Sequence, residues 1–116
     1  MIKLDTRLGM LAGLVAPCRD CADIGTDHGL LGAYLLENGI CGRMQFLDIS
    51  APSLDKARRL IASLGLADRS VFQVGDGADA LVSRADCIII AGMGASTIAG
   101  IIRRGRDKLG DASLIL

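Results

Sequence analysis

The sequence predicts an α/β fold in which helices cover both faces of a doubly wound parallel sheet. Two observations predict this fold class. Short runs rich in Ile, Val and Leu alternate with helical patterns along the 116 residues, with no repeat or linker between them. Glycines and acidic residues follow the apolar runs, at the strand ends where such sheets bind ligands. The chain is therefore predicted to be one domain, residues 1–116.

The first half of the chain carries three helical patterns and two strand patterns. The helices are predicted at residues 5–15, 28–37 and 50–64, and the strands at residues 21–25 and 44–49. Pro17 ends the first helix, and Asn38-Gly39 ends the second. Pro52 lies in the first turn of the third helix, where a backbone N–H would have no helical partner.

The second half of the chain continues the alternation. Strands are predicted at residues 70–75, 86–92 and 112–116, and helices at residues 77–82 and 95–105. Parallel strands joined by right-handed crossovers bring their carboxyl ends to one edge of the sheet. Candidate ligand-binding segments follow the first four strands, at residues 23–28, 48, 75–77 and 92–94.

Residues 23–29, DIGTDHG, form a glycine turn directly after the first predicted strand. Asp27 stands where a dinucleotide-binding turn has its second glycine. A carboxylate at that position repels a pyrophosphate and attracts an ammonium or sulfonium group. S-Adenosylmethionine carries both of these cations and no phosphate, so it is the predicted cofactor.

The acidic residues at the next two strand ends fit the rest of that cofactor. Asp48 is placed to accept hydrogen bonds from two ribose hydroxyls, and Asp76 from an adenine amine. Gly92 and Gly94 let the backbone pass close to a ligand. Each acid also has a structural alternative, namely Asp23 as a buried acid held by turn amides, Asp48 as a helix cap and Asp76 as part of an ordinary turn.

Four segments together resemble one enzyme family. "DIGTDHGLL", followed by "LDIS", "GDGADAL" and "IAGMGASTI", resembles the bacterial tRNA (adenine22-N1)-methyltransferases, which are class I S-adenosylmethionine-dependent enzymes. The N-terminal "LDTRLGMLAGLV" is similar to the "RL" helix of that family. The resemblance covers essentially the whole chain and implies a Rossmann-like class I methyltransferase fold. The family continues with two further strands and a helical C-terminal domain, so the chain resembles its N-terminal portion, truncated after the fifth strand.

The resemblance implies a set of cofactor-binding residues. They are Arg7, Asp23, Gly25, Asp27, Asp48, Asp76, Gly77, Gly92, Met93 and Gly94. The turn after the first strand is implied to hold the methionine end. Asp48 is implied to hold the ribose, and Asp76 with Gly77 the adenine. The segment 92–94 is implied to lie under the transferable methyl group.

Asp27 and His28 are the candidate catalytic residues. His28 is the only histidine, and it could cap the second helix, pack against it or contact the substrate. Thr26 could simply shape the turn. The implied reaction is methylation of N1 of an adenine in tRNA, where an in-plane lone pair attacks without prior loss of a proton. No Asn/Asp-Pro-Pro-aromatic segment, typical of enzymes that methylate exocyclic amines, follows the fourth strand.

Three positions depart from the family pattern. Gly32 stands where the family commonly has a proline, Asp48 replaces the usual Glu, and Ala95 replaces a further glycine. These departures are compatible with the cofactor site and leave the substrate open. Two alternative functions also remain open, a nucleotide-binding oxidoreductase or regulatory module on the same fold, and a catalytically silent S-adenosylmethionine-binding fragment.

The composition of the chain bears on its binding partners and on its cellular compartment. Thirteen basic residues balance thirteen acidic residues, and three aromatic residues offer little stacking surface for nucleic acid. No apolar run is long enough to cross a membrane, so a cytoplasmic protein is predicted. The basic residues at positions 103, 104, 106 and 108 are interpreted as a solvated face that could alternatively contact phosphates.

The four cysteines and the sheet edge give two further predictions. Cys18 and Cys21 have the spacing of half a zinc site, but no second pair follows, so buried free thiols, no metal and no required disulfide are predicted. A sheet that stops at its fifth strand has an exposed edge, through which a homodimer could form.

Overall fold

The predicted fold class is confirmed by the computed structural model, which describes residues 2–116. Five parallel strands form one sheet in the order β3-β2-β1-β4-β5. The strands are β1 (Cys18–Ile24), β2 (Cys41–Asp48), β3 (Ser70–Val74), β4 (Cys87–Ile90) and β5 (Ser113–Ile115). This order places β1 at the centre of the sheet, where it pairs with both β2 and β4.

One helix precedes the first strand, and four helices and two short 3₁₀ turns connect the strands. The helices are α1 (Thr6–Gly13), α2 (Leu30–Glu37), α3 (Ala51–Ser63), α4 (Ala95–Arg104) and α5 (Arg106–Leu109). The 3₁₀ turns span Ala67–Arg69 and Gly77–Ala80. The sequence pattern does not predict α5, a single turn that follows α4 directly after Gly105.

Side chains on the two faces of the sheet belong to two separate cores. In β4 the four residues are buried, and they alternate between the faces. Cys87 and Ile89 lie in the core under α1, α2 and α3, whereas Ile88 and Ile90 lie in the core under α4 and α5. This burial on both faces explains why the strand reads as a continuous apolar run.

Three elements begin two or more residues away from the predicted position. β1 and β2 each begin three residues earlier than predicted, because Cys18 pairs with Cys41 in the parallel ladder. Helix α2 begins at Leu30 instead of His28, because Gly29 adopts a left-handed conformation with φ of 81°. His28 therefore lies in the turn between β1 and α2 and does not open the helix.

Gly32 replaces the family's proline at a position where no side chain fits. A Cβ atom built on Gly32 would lie 2.3 Å from Cε1 of Phe46. The Phe46 ring is completely buried and stacks on Phe72, with 5.0 Å between the ring centroids. The ring therefore occupies the space that a larger residue at position 32 would need.

We expect Gly32→Ala to lower the free energy of unfolding by about 1–3 kcal/mol, because the new methyl group overpacks the core against Phe46. The matched control is Gly9→Ala in α1, where a Cβ meets nothing within 4 Å. That control is expected to raise stability by up to about 1 kcal/mol through helix propensity alone. Urea denaturation measures both, and equal stabilisation by the two changes would contradict the prediction.

The prediction of four buried free thiols is wrong for two of the cysteines. The structure joins Cys21 and Cys41 in a disulfide and leaves Cys18 and Cys87 free. The sequence offers no signal for this pair, because the two residues meet only when β1 and β2 align side by side. The absence of a bound metal stays a prediction.

The helices described at residues 2–116 include none that is long and apolar enough to cross a membrane.

Candidate functional site

The carboxyl ends of β1, β2 and β4 surround a crevice at the point where the strand order reverses. The crossover from β1 leads to β2 on one side, and β4 lies on the other side of β1. Ligands of doubly wound sheets bind at such a switch point. Two pockets lie here and share Gly25, Asp27, Ala91 and Gly92 in their walls. We name them the Asp23 pocket and the Asp76 pocket.

The Asp23 pocket has a volume of about 180 Å³ and lies between α1 and the turn after β1. Its walls comprise Arg7, Leu8, Leu11, Asp23, Gly25, Thr26, Asp27, His28, Leu30, Leu31, Ala91 and Gly92. Asp23 is only 4% exposed, and its Oδ2 accepts a hydrogen bond of 3.0 Å from the Thr26 hydroxyl. Thr26 thus does more than shape the turn, since it satisfies a buried carboxyl.

Burial raises the pKa of Asp23 to about 7. Removal from water disfavours the charged carboxylate, and the nearby Asp48 and Asp27 carboxylates add to the rise. The Thr26 hydroxyl opposes both effects by donating to the carboxylate. A cation in this pocket would favour ionised Asp23, so the site is suited to a positively charged ligand group.

This raised pKa predicts that stability falls as the pH rises through the window from about 4 to 7. An unfolded Asp titrates near 3.8, so within this window the folded chain keeps a proton that the unfolded chain has lost. We expect Asp23→Asn to remove this dependence and to stabilise the free chain at pH 8 by about 2–4 kcal/mol. The gain should disappear towards pH 4.

Denaturation at several pH values tests this prediction. Thr26→Val removes the hydroxyl that lowers the pKa of Asp23, so it is expected to extend the loss of stability to higher pH. An unchanged pH profile in Asp23→Asn would contradict the assignment of the dependence to this carboxyl.

Asp48 ties the turn after β1 to the turn after β2. Its Oδ2 accepts the backbone N–H of Asp27 at 2.9 Å, and its Oδ1 accepts the backbone N–H of Ser50 at 2.9 Å. The N-cap of α3 is Ser50, whose hydroxyl accepts the N–H of Ser53. The alternative reading of Asp48 as the helix cap is therefore wrong. Each carboxylate oxygen retains a lone pair for a ligand hydroxyl.

The turn after β1 adopts a conformation that few residues tolerate. Gly25 has φ of 78°, and Asp27 is the one non-glycine residue with a positive φ, at 55°, among residues 2–116. A Cβ atom on Gly25 would lie 2.9 Å from Cε of Met93, so the two strand-end turns are in contact. Strained backbone of this kind is concentrated at ligand-binding sites.

The Asp76 pocket has a volume of about 360 Å³ and lies over the ends of β2, β3 and β4. Its walls comprise Ile24, Gly25, Asp27, Leu47, Asp48, Ile49, Ser53, Gly75, Asp76, Gly77, Ala91, Gly92, Met93, Thr97, Ile101 and Arg104. Asp76 is exposed and lies 3.9 Å from Arg104, measured from Oδ1 to Nη2. Gly77, with φ of 58°, packs against Ile101.

The exposed His28 lies at the rim of the Asp23 pocket. Its Nε2 is 3.6 Å from Oδ1 of Asp27, close enough for an ion pair when the imidazole is protonated. The pair faces the junction of the two pockets, because Asp27 lines both. Their position is compatible with contact to a substrate, and their catalytic role remains a prediction.

Nine of the ten predicted cofactor-binding residues line the two pockets. The exception is Gly94, which forms the N-terminal boundary of α4. Sequence reasoning did not assign several other wall residues to the site, namely Leu8, Leu11, Ile49, Ser53, Thr97 and Arg104. Arg104 was interpreted as part of a solvated basic face, and no local signal relates it to Asp76. Ile49 could have been noticed from the sequence, because it directly follows Asp48, which was assigned to the site. The structure leaves its side chain 71% exposed.

The fold and the joined pockets define a Rossmann-like α/β domain with a ligand crevice at its switch point. The family model described as "Methyltransferase domain" matches residues 4–116. The chain therefore belongs to the methyltransferase-domain family.

Relatives in sequence and structure agree with this family. The tRNA (adenine(22)-N(1))-methyltransferase of Bacillus subtilis (strain 168) is 35% identical over 117 residues, which cover 99% of this chain and 49% of the relative. The crystal structure of the B. subtilis m1A22 tRNA methyltransferase TrmK has a TM-score of 0.91 at 32% identity, and the match covers 98% of this chain and 50% of that chain.

Two similar structures contain ligands. M. capricolum TrmK in complex with S-adenosyl-homocysteine has a TM-score of 0.84 at 28% identity, over 90% of this chain and 48% of that chain. Streptococcus pneumoniae Sp1610 in complex with S-adenosyl-L-methionine has a TM-score of 0.89 at 26% identity, over 95% of this chain and 52% of that chain. The chain thus spans about half the length of the relatives it matches.

Proposed function

We propose that this chain is the cofactor-binding part of an S-adenosylmethionine-dependent methyltransferase that acts on N1 of an adenine in tRNA. The proposal is supported by the B. subtilis tRNA methyltransferase, which is similar over nearly the whole chain. It is also supported by relatives whose structures hold S-adenosyl-L-methionine or its demethylated product. The tRNA substrate makes the cytoplasm the proposed compartment. The comparisons do not support the predicted homodimer, and it is not part of the proposal.

The observation that carries the proposal is the pair of joined pockets with an acid in each and Asp27 at their junction. The Asp23 pocket fits the ammonium group of the methionine end, because a nearby cation stabilises the ionised form of the buried carboxyl. The Asp76 pocket fits the adenosine end, with Asp48 at the ribose and Ile49 offering apolar surface to the base. A pyrophosphate would meet carboxylates along the same path.

When bound, the cofactor would supply an electrophilic methyl group. The residues of this chain need not remove a proton beforehand, because N1 of adenine has an in-plane lone pair. Methylation leaves a positive charge on the adenine ring. The proposed role of the Asp27 carboxylate is to stabilise that charge, and that of His28 is to contact the target base; their support is that both residues line the Asp23 pocket.

Titration calorimetry tests the cofactor assignment. We expect S-adenosylhomocysteine to bind the chain and NAD to bind at least about 100-fold more weakly, because NAD places two phosphates against the carboxylates. Preferential binding of NAD would contradict the methyltransferase assignment and favour the alternative function, a nucleotide-binding oxidoreductase or regulatory module. Binding of neither compound would refute the proposed cofactor site.

A further inference from the structure

Among the described residues that line the Asp76 pocket, Arg104 is the only basic one. The other charged residues of this wall are Asp27, Asp48 and Asp76. Arg104 lies in the last turn of α4, and its Nη2 is 3.9 Å from Oδ1 of Asp76. The two side chains are 65% and 67% exposed, so the ion pair by itself contributes little to stability. The pair is therefore better explained by the ligand of the pocket than by the stability of the chain.

Helix α4 has no side chain at the place where the guanidinium of Arg104 lies. Gly100 precedes Arg104 by one turn, and a Cβ atom built on it would lie 3.1 Å from Nη1 and 3.8 Å from Cζ of the arginine. Glycine in the interior of a helix is destabilising relative to alanine, so helix formation alone does not favour it there. The bare backbone at Gly100 gives the guanidinium a surface to lie against, beside the pocket.

Close packing fixes the position of α4 relative to the turn that carries Asp76. A Cβ atom on Gly105, the residue after the arginine, would clash with Cβ of Ala78. A Cβ atom on Gly77, the residue after the aspartate, would lie 3.2 Å from Cγ1 of Ile101. Backbone packing thus holds the arginine opposite the aspartate, and their proximity does not depend on the weak ion pair.

We propose that Arg104 is a positioning residue that orients the Asp76 carboxylate toward the base of the cofactor, so that the site selects adenine. This inference rests on the proposed function, in which the Asp76 pocket holds the adenosine end, and on Asp76 as the acceptor of the adenine amine. A guanidinium next to Oδ1 favours one orientation of the carboxylate and leaves Oδ2 for the amine. A bound base excludes water from the pair and strengthens the attraction between the two charges.

The oriented carboxylate distinguishes adenine from hypoxanthine, which has a carbonyl oxygen in place of the amine at C6. The amine donates a hydrogen bond to a carboxylate, whereas the carbonyl oxygen is repelled by it. A guanidinium facing the base would have the opposite preference, because it is a donor only. In the proposed arrangement the carboxylate faces the base and the guanidinium lies behind it, so adenine is selected.

Titration calorimetry with S-adenosylhomocysteine and S-inosylhomocysteine, whose base is hypoxanthine, tests the inference. We expect the unsubstituted chain to bind the adenosyl compound at least about 10-fold more tightly. Arg104→Gln should lower this preference by about 3-fold or more, mainly by weakening the binding of the adenosyl compound. Arg103→Gln is the matched control, because Arg103 is an exposed arginine in the same last turn of α4 and lies outside the walls of both pockets. The control should keep the preference.

The variant Asp76→Ala shows whether Arg104 acts through the carboxylate. In that background we expect Arg104→Gln to change the affinity for S-adenosylhomocysteine by less than about 2-fold. A larger loss there would mean direct contact of Arg104 with the cofactor and would overturn the positioning role. An unchanged preference in Arg104→Gln, an equal fall in Arg103→Gln, or no preference in the unsubstituted chain would also overturn it. Failure of the unsubstituted chain to bind either compound would refute the proposed function itself, and this inference with it.

Discussion

Replacing Asp48 with alanine is expected to weaken the binding of S-adenosylhomocysteine by about 1–3 kcal/mol, or roughly 5- to 150-fold in Kd. The ribose hydroxyls would lose their charged acceptor and remain unpaired in the pocket. Asp48 also accepts the N–H groups of Asp27 and Ser50, so the change frees the turn that joins the two pockets. Both effects reduce affinity, and titration calorimetry measures their sum.

Two further variants separate these effects. Asp48→Asn keeps one oxygen, which can accept only one of the Asp27 and Ser50 N–H groups, and it loses the charge. It should therefore hold the turn better than Asp48→Ala and still lose affinity. Asp86→Ala is the matched control, because the Asp86 carboxylate also accepts a backbone N–H, from Asp20, but at the opposite end of the sheet. Asp86→Ala should bind S-adenosylhomocysteine with the affinity of the unsubstituted chain. Parent-like affinity in Asp48→Ala would remove Asp48 from the site.

The 116-residue chain by itself is expected to methylate tRNA at least on the order of 100-fold less efficiently than a protein with the full length of its relatives. The described surface offers few contacts for folded RNA. Phe46 and Phe72 stack on each other in the core, and Tyr34 packs against the same core. Near the site, Arg104 lies beside Asp76, and Lys108 lies 3.5 Å from Asp79, so acids partly neutralise these cations.

A methyl-transfer assay on unmodified bacterial tRNA tests this expectation. The chain is compared with a fusion in which the remaining half of the B. subtilis relative follows Leu116. Calorimetry with S-adenosylhomocysteine on both proteins checks that each holds the cofactor, so that a folding failure is not mistaken for missing RNA contacts. Adding Asp48→Ala to the fusion should lower its turnover. Equal turnover by the chain and the fusion would show that the RNA-binding surface is already present.

Local signals in the sequence were sufficient for the fold class and for most of the candidate site. Alternating apolar strands and helices predict a parallel sheet, and the turn DIGTDHG places acids at its carboxyl edge. Strand ends such as Asp23, Asp48 and Asp76 could be identified because their positions follow from the strand pattern alone. The acids that line the pockets could therefore be predicted from the sequence, although the shapes of the pockets could not.

Contacts between distant parts of the chain were decided only by the tertiary structure. Packing of α4 brings Arg104 to Asp76, and the alignment of β1 with β2 brings Cys41 to Cys21 and Cys18. The ring of Phe46 takes the space next to Gly32, which sequence comparison alone treats as a missing proline. Periodicity and turn chemistry indicate the environment of each residue within its own segment. The contacts above join residues of separate segments. They depend on how those segments pack, which no pattern within one segment encodes.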